Sequence, residues 1–337
     1  MTEQKYTFKD FQSDQEIRWC PGCGDLAILR AVQNAMAKIG KPREKYVVVS
    51  GIGCSSRFPY YMATYGFHGI HGRAGALASG IKVANPELSV WQITGDGDAL
   101  AIGGNHFIHE IRRNLDINII LFNNKIYGLT KGQYSPTSEY GQITKTSPYG
   151  TIEHPFNPGE LAIGAGATFF GRGIDANMNE NIELFIEAEK HKGISVVEVL
   201  QNCVIFNNGA HSYYTDKAHK ADRQLHVKHG EPLIFGKDRD KGIILDKETG
   251  LIKVVKIGEN GITEKDILVH NAKDPSPLIH YQLAALKDPI VLGVIRAVEK
   301  PTYEEELYRQ IKEVQAKAKI KNMTDLLHSG STWTVNE

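Results

Sequence analysis

The chain has 337 residues and carries 39 Lys and Arg against 39 Asp and Glu, so it has no net charge. At about 100–200 residues per domain there is room for one large α/β domain with an appendage, or for two domains. A neutral chain lacks the basic field of a nucleic-acid or anionic-membrane binder, and no apolar run approaches the roughly 18 residues of a membrane span. The opening Met1-Thr2-Glu3-Gln4-Lys5 is polar where a secretion signal would be apolar. The expectation is a soluble, cytoplasmic protein that binds neither nucleic acid nor membrane.

In chain order, the first predicted element is a helix over 25–39. Ile28, Val32, Ala35 and Ile39 share one face, and Gly40 and Pro42 end it. A β-branched run over 46–49 then leads into Ser50-Gly51-Ile52-Gly53-Cys54, the pattern of a buried strand entering a glycine loop. Similar runs recur at 89–94, 117–122 and 194–200, separated by helical patterns over 99–114 and 182–191. Strands alternating with helices predict a doubly wound, mainly parallel sheet, which assigns 1–210 to the main domain. From 211 to 337 the texture changes. Short alternating stretches at 242–245 and 251–257 predict a β-meander, and a terminal helix follows over 303–320, so this stretch is expected to be a small appendage.

In open parallel sheets ligands bind beyond the carboxyl ends of the strands. The residues that follow the apolar runs are Cys54, Gly95-Asp96-Gly97-Asp98, Asn123-Asn124 and Cys203, so the chemically suspicious groups all fall at one sheet edge. A Gly-acid-Gly turn alone is more often a plain connection. Here a carboxamide leaves the next strand end, and oxygen ligands on neighbouring loops are what magnesium needs when it bridges a diphosphate. A dinucleotide fingerprint fails because position 100 is Leu100, and no Walker lysine motif occurs.

Gly95-Asp96-Gly97 followed at this distance by Asn123-Asn124 resembles the signature of thiamine-diphosphate enzymes. That resemblance implies magnesium held by Asp96, Asn124 and the backbone carbonyl of Ile126. The chain has only four cysteines, Cys20, Cys23, Cys54 and Cys203. A CxxC pair alone reads as a redox dithiol, half a zinc site or part of an iron–sulfur site. A cluster beside thiamine makes chemical sense, because decarboxylation of a 2-oxoacid leaves an electron-rich centre that a one-electron acceptor can oxidise in two steps.

Together, Trp19-Cys20-Pro21-Gly22-Cys23, Ser50-Gly51-Ile52-Gly53-Cys54-Ser55-Ser56, His71-Gly72-Arg73-Ala74, Gly95-Asp96-Gly97-Asp98, the run from Asn124 to Gln133, Ser135-Pro136-Thr137 and Cys203 resemble the β subunit of 2-oxoacid:ferredoxin oxidoreductases. The resemblance implies that Ile52, Gly53, Cys54, Ser55, His71, Gly95, Gly97, Asp98, Gly128 and Leu129 line thiamine diphosphate, and that the four cysteines hold one [4Fe–4S] cluster. The loop Tyr127-Gly128-Leu129-Thr130-Lys131-Gly132-Gln133 is closer to the 2-oxoglutarate enzymes than to the pyruvate ones. The implied reaction joins 2-oxoglutarate, CoA and ferredoxin in forming or consuming succinyl-CoA. The rivals are a pyruvate or branched-chain 2-oxoacid version, and a non-catalytic four-cysteine zinc scaffold. Read alone, His71 is a hydrogen-bonded loop histidine and Lys125 a solvated one; beside the diphosphate motif Lys125 becomes the catalytic candidate, facing a substrate carboxylate. Thiamine chemistry also needs a glutamate from a second, pyrimidine-binding domain for which this chain has no room. An α subunit, in an (αβ)₂ assembly, is the expected source.

Overall fold

The computed structural model describes residues 6–335, so the polar opening Met1–Lys5 lies outside the described residues. Among the described residues eleven strands form: β1 (Tyr46–Ser50), β2 (Tyr65–His68), β3 (Ser89–Gly95), β4 (Ile117–Asn123), β5 (Phe169–Ile174), β6 (Ser195–Leu200), β7 (Gln224–Val227), β8 (Ile234–Phe235), β9 (Lys241–Leu245), β10 (Ile252–Lys256) and β11 (Ile290–Ala297). Eight of them make one sheet in the order β2-β1-β3-β4-β6-β5-β11-β7. Six run parallel, while β11 lies antiparallel to β5 and carries β7 parallel to itself.

The central strands are buried on both faces, which explains why they read as continuous apolar runs. On one face Val48, Trp91, Ile120, Phe122 and Val197 pack under the helices Gly24–Ile39 and Met178–Lys190. On the other, Val47, Val49, Val90, Ile119, Leu121 and Val196 meet Ala74–Ala84, Gly104–Arg113 and Pro158–Gly164. The alternation within β1 and β4 is the two-residue period of a strand covered on both sides.

Three expectations change in detail. The helix expected over 99–114 is two helices, Asp96–Leu100 and Gly104–Arg113. The first opens on the Gly-acid-Gly turn itself with Gly95 as its cap, and the break falls where a Cβ on Gly103 would stand 2.3 Å from the carbonyl oxygen of Asp98. The helix expected over 303–320 spans Tyr303–Lys317, capped by Thr302, whose hydroxyl accepts the Glu305 amide at 3.3 Å, and a further short helix, Met323–Leu327, follows it. Beyond residue 211 the meander forms as the antiparallel sheet β8-β9-β10, but the same stretch also sends β7 and β11 into the main sheet. Leu233, Phe235 and Ile243 of the meander share one apolar cluster with Leu225 of β7 and Val291 of β11, so the expected boundary at 210/211 does not divide the core.

Candidate active site

The strands β1, β3, β4 and β6 are neighbours in the sheet, and their carboxyl ends deliver Cys54, Asp96 and Asp98, Asn124, and Cys203. A cleft of about 470 Å³ opens there. Ile52, Gly53, Cys54, Ser55, His71, Gly95, Gly97, Asp98, Gly128 and Leu129 all line it, together with Asp96, Asn124 and Ile126. Tyr127, Thr130 and Gln133 line it too. These three lie in the loop the sequence points to, without a signal of their own beyond that position.

Two buried carboxylates organise the cleft. Asp96 Oδ2 accepts the hydroxyls of Ser135 and Thr137, both at 2.5 Å. Burial pushes the Asp96 pKa up, and the two hydroxyl donors pull it partly back. Asp98 Oδ1 accepts the amides of Ile52 (3.0 Å) and Gly72 (2.7 Å) and pairs with His71 Nδ1 at 2.8 Å, while the Thr94 hydroxyl donates to Oδ2 at 2.8 Å. Asp98 therefore ties the loop after β1, the loop carrying His71 and the end of β3 to one point. Gly51 is required beside it, since a Cβ there would stand 2.1 Å from Asp98 Oδ2.

Across the cleft, Asn124 Oδ1 accepts the Ile126 amide at 3.1 Å, a side-chain turn that holds the candidate ligand Asn124 against the segment bearing the candidate carbonyl. The Tyr127 hydroxyl donates to the Gly97 carbonyl at 2.9 Å. Burial, with Asp96 and Asp98 adding to it, pushes the Tyr127 phenol up to about 12. A Cβ on Gly97 would meet the Tyr127 ring at 2.3 Å, so only glycine lets the backbone approach here.

The four cysteines gather beside this cleft. Cys20 and Cys23 close a turn through the Cys23 amide and the Cys20 carbonyl at 3.0 Å, with Gly22 in the left-handed region at φ 82°. The Trp19 indole donates to the Cys54 carbonyl at 2.6 Å, and the Gly24 amide donates to the Asn202 carbonyl at 3.2 Å, which fastens the first loop to the other two. A Cβ on Gly128 would stand 3.3 Å from Cys54 Sγ and 3.6 Å from Cys203 Sγ, so both sulfurs sit against the floor of the cleft. Burial raises the thiols of Cys23 and Cys54, the latter to about 12; Asp25 and the neighbouring cysteines push the same way. All four thiols are free, and among the described residues no three His, Cys, Asp or Glu side chains close into a single-ion cage.

The C-terminal thiamine pyrophosphate binding domain of thiamine pyrophosphate enzymes matches residues 37–199. The 2-oxoglutarate oxidoreductase subunit KorB of Mycobacterium tuberculosis is 48% identical over 99% of this chain and 90% of its own length. The chain belongs to the family of 2-oxoacid oxidoreductase β subunits. A β subunit of a 2-oxoacid:ferredoxin oxidoreductase from Saccharolobus solfataricus is 45% identical over 60% of this chain and 68% of its own. Among solved structures, a 2-oxoglutarate:ferredoxin oxidoreductase from Magnetococcus marinus, with 2-oxoglutarate, coenzyme A and succinyl-CoA bound, is 30% identical. It covers 98% of both chains with a TM-score of 0.79.

Within this family site one sequence candidate is placed elsewhere. Lys125 does not line the cleft; its ammonium meets Glu139 Oε1 at 2.5 Å on the wall of a neighbouring cavity that also holds Arg172, Glu198 and His211. Lys125 sits at φ 56°, a left-handed conformation. The chain turns there, and adjacency to Asn124 in sequence does not become adjacency of side chains.

Proposed function

We propose that this chain is the β subunit of a 2-oxoglutarate:ferredoxin oxidoreductase, working with an α subunit in an (αβ)₂ assembly. The complex turns 2-oxoglutarate, CoA and oxidised ferredoxin into succinyl-CoA, carbon dioxide and reduced ferredoxin, or runs the reverse carboxylation. The observation that carries this reading is that four adjacent strand ends deliver a buried carboxylate, a carboxamide and the thiols of Cys54 and Cys203 to one cleft, while the loop before the helix Gly24–Ile39 brings Cys20 and Cys23 beside them. Thiamine diphosphate, when bound, supplies the nucleophilic carbon and electron sink for 2-oxoacid decarboxylation, and a [4Fe–4S] cluster carries electrons singly.

The residues fit those groups. Asp96, Asn124 and the Ile126 carbonyl are hard oxygen donors suited to magnesium that shares its sphere with phosphate. Gly53 lies at φ 133° with nothing within 4 Å of a Cβ there, and Gly97 cannot carry one, so backbone amides can approach a diphosphate. Asp98 fixes the loops bearing Ile52 and His71 before any ligand arrives. Cys20, Cys23, Cys54 and Cys203 are the right number of thiolate ligands for one cubane. Four free thiols suit a reducing cytoplasm, and among the described residues no helix is long and apolar enough to cross a membrane.

Among the described residues lining the cleft the only carboxylates are Asp96 and Asp98, and both are committed to hydrogen bonds within this chain. The glutamate that activates the aminopyrimidine therefore comes from the α subunit, which places the active site at an interface. The test is anaerobic co-purification with the α subunit and an acceptor-reduction assay over a panel of 2-oxoacids. The expected result is CoA-dependent turnover of 2-oxoglutarate by the complex and none by the isolated chain. Robust turnover by the isolated chain would overturn the partner argument, and a preference for pyruvate or branched-chain acids would overturn the substrate.

A further inference from the structure

We propose that the turn 135–138 is the positioning element of the magnesium site, with Thr137 its principal residue; this rests on the magnesium reading above. Ser135-Pro136-Thr137-Ser138 closes on itself through the Ser138 amide to the Ser135 carbonyl (3.0 Å) and the Ser135 amide to Ser138 Oγ (2.8 Å). From this turn the hydroxyls of Ser135 and Thr137 both reach Oδ2 of Asp96, while the Ser138 hydroxyl donates to the Lys125 carbonyl at 2.7 Å. That carbonyl lies between the two candidate ligands of the second loop, Asn124 and Ile126. One turn thus grips both ligand-bearing segments.

The chemistry of the grip matters as much as its geometry. Asp96 is 2% exposed and has no lysine or arginine among its hydrogen-bond partners in the described residues. Uncharged hydroxyls orient a carboxylate without cancelling the negative charge a cation needs, whereas an arginine there would compete with the metal. Both donors fall on the same oxygen, so rotation of the carboxylate is fixed and Oδ1 keeps no side-chain donor.

Thr137 also anchors the grip to the body of the protein. Its one hydroxyl proton faces two acceptors, Asp96 Oδ2 at 2.5 Å and, more weakly, Asn123 Oδ1 at 2.9 Å, and the Asn123 amide donates to Glu198 Oε1 at 2.7 Å. Glu198 Oε2 accepts Arg172 Nε at 2.6 Å, and Arg172 Nη2 donates to the Ala284 carbonyl at 3.0 Å. Thr137, Asn123, Glu198 and Arg172 are each at most 3% exposed, so a buried row of polar side chains runs from beside the metal carboxylate across β4, β6 and β5, with the Thr137 hydroxyl proton shared at its first link. Thr137 acts through Asp96 and is a positioning residue, not a catalytic one.

The test uses the αβ complex with its iron content verified, titrated with Mn²⁺ in the presence of thiamine diphosphate, free Mn²⁺ being read by electron paramagnetic resonance. Thr137→Val keeps the shape and removes the hydroxyl, and it is expected to raise the half-saturating Mn²⁺ concentration roughly ten- to hundredfold, the range for a hydrogen bond to a charged group. Thr137→Ser restores the hydroxyl and with it the wild-type value, which a merely space-filling role would not do. Where Thr137→Val does not assemble, Ser135→Ala is read in its place with the same expected direction. Wild-type affinity in Thr137→Val, or in Ser135→Ala where that variant stands in, overturns the proposal, as does a Thr137→Ser variant as weak as Thr137→Val. A wild-type complex that takes up no Mn²⁺ overturns the magnesium reading beneath it as well.

Discussion

In the cofactor cleft both carboxylates already have their donors: Asp96 holds two hydroxyls, and Asp98 holds two amides, a hydroxyl and His71. In the cysteine centre on the other side of Gly128 the backbone is fastened just as firmly, but the ionisable groups are not at ease. Burial pushes Cys23 and Cys54 up, with Asp25 adding to both, and Asp25 is itself raised to about 7 by burial with Asp175 adding to it. The polar groups of the cleft are already satisfied within the chain. The cysteine centre holds two thiols, Cys23 and Cys54, that burial pushes toward their neutral form. The two halves of one active site should therefore respond differently to the loss of what they bind.

A pair of substitutions breaks that comparison most sharply. Asp96→Ala removes the only anionic magnesium ligand of the motif, and thiamine diphosphate retained by the purified complex is expected to fall to background while its iron stays. Cofactor content unchanged by the substitution would show that Asp96 is not a metal ligand. Cys203→Ala is expected to do the reverse, with iron and brown colour lost and thiamine diphosphate still bound, because the hydrogen bonds that shape the cleft do not involve the thiols. Simultaneous loss of both cofactors would mean that the cluster, not Asp98, organises the cleft.

Lys125→Ala tests the placement of a residue at the border. The Lys125–Glu139 pair is partly exposed, with side-chain exposures of 18% and 59%, and such pairs are worth below about 1 kcal/mol. The substitution is expected to leave 2-oxoglutarate preference intact and to lower stability by no more than that. A selective fall in kcat/KM for 2-oxoglutarate would return Lys125 to the substrate.

A smaller effect is expected from pH. Burial, with Lys125 adding to it, holds His211 neutral with its pKa down at about 4, and burial does the same to His191. The unfolded chain binds protons at both histidines below about 6.5 and the folded chain does not. Stability should therefore fall as pH is lowered from about 6.5 toward 4, and His211→Asn should flatten part of the slope. Melting temperatures of wild type and variant across that window check it; identical slopes would remove His211 from the account.

The pattern of these effects follows what the sequence could and could not express. β1, β3, β4 and β6 are buried, mainly apolar runs, so their ends, and the loops that carry the site, stand out without any structure. β5 does not, because Gly171, Arg172 and Gly173 interrupt it. Those glycines let the helix Met178–Lys190 lie close, where a Cβ would stand 2.6 Å from Leu184 and 2.0 Å from Asn181 Oδ1, and the arginine is paired in the core with Glu198. β2 has four exposed residues at the sheet edge and carries no burial pattern at all. β7 and β11 become part of the main sheet only by long-range pairing with each other and with β5. Asp98 is visible in the motif, but its grip on Ile52, His71 and Gly72 is not. Side-chain direction is least legible of all: Lys125 stands beside a candidate ligand in sequence and points to Glu139 in space.

The central claim is that one sheet edge of this β subunit holds a diphosphate cofactor and an iron–sulfur cluster side by side. The most direct measurement is the iron, zinc and thiamine diphosphate content of a single anaerobic preparation of the αβ complex. About four irons and one thiamine diphosphate per β chain, without zinc, is the expected result. Stoichiometric zinc with no thiamine diphosphate would contradict it.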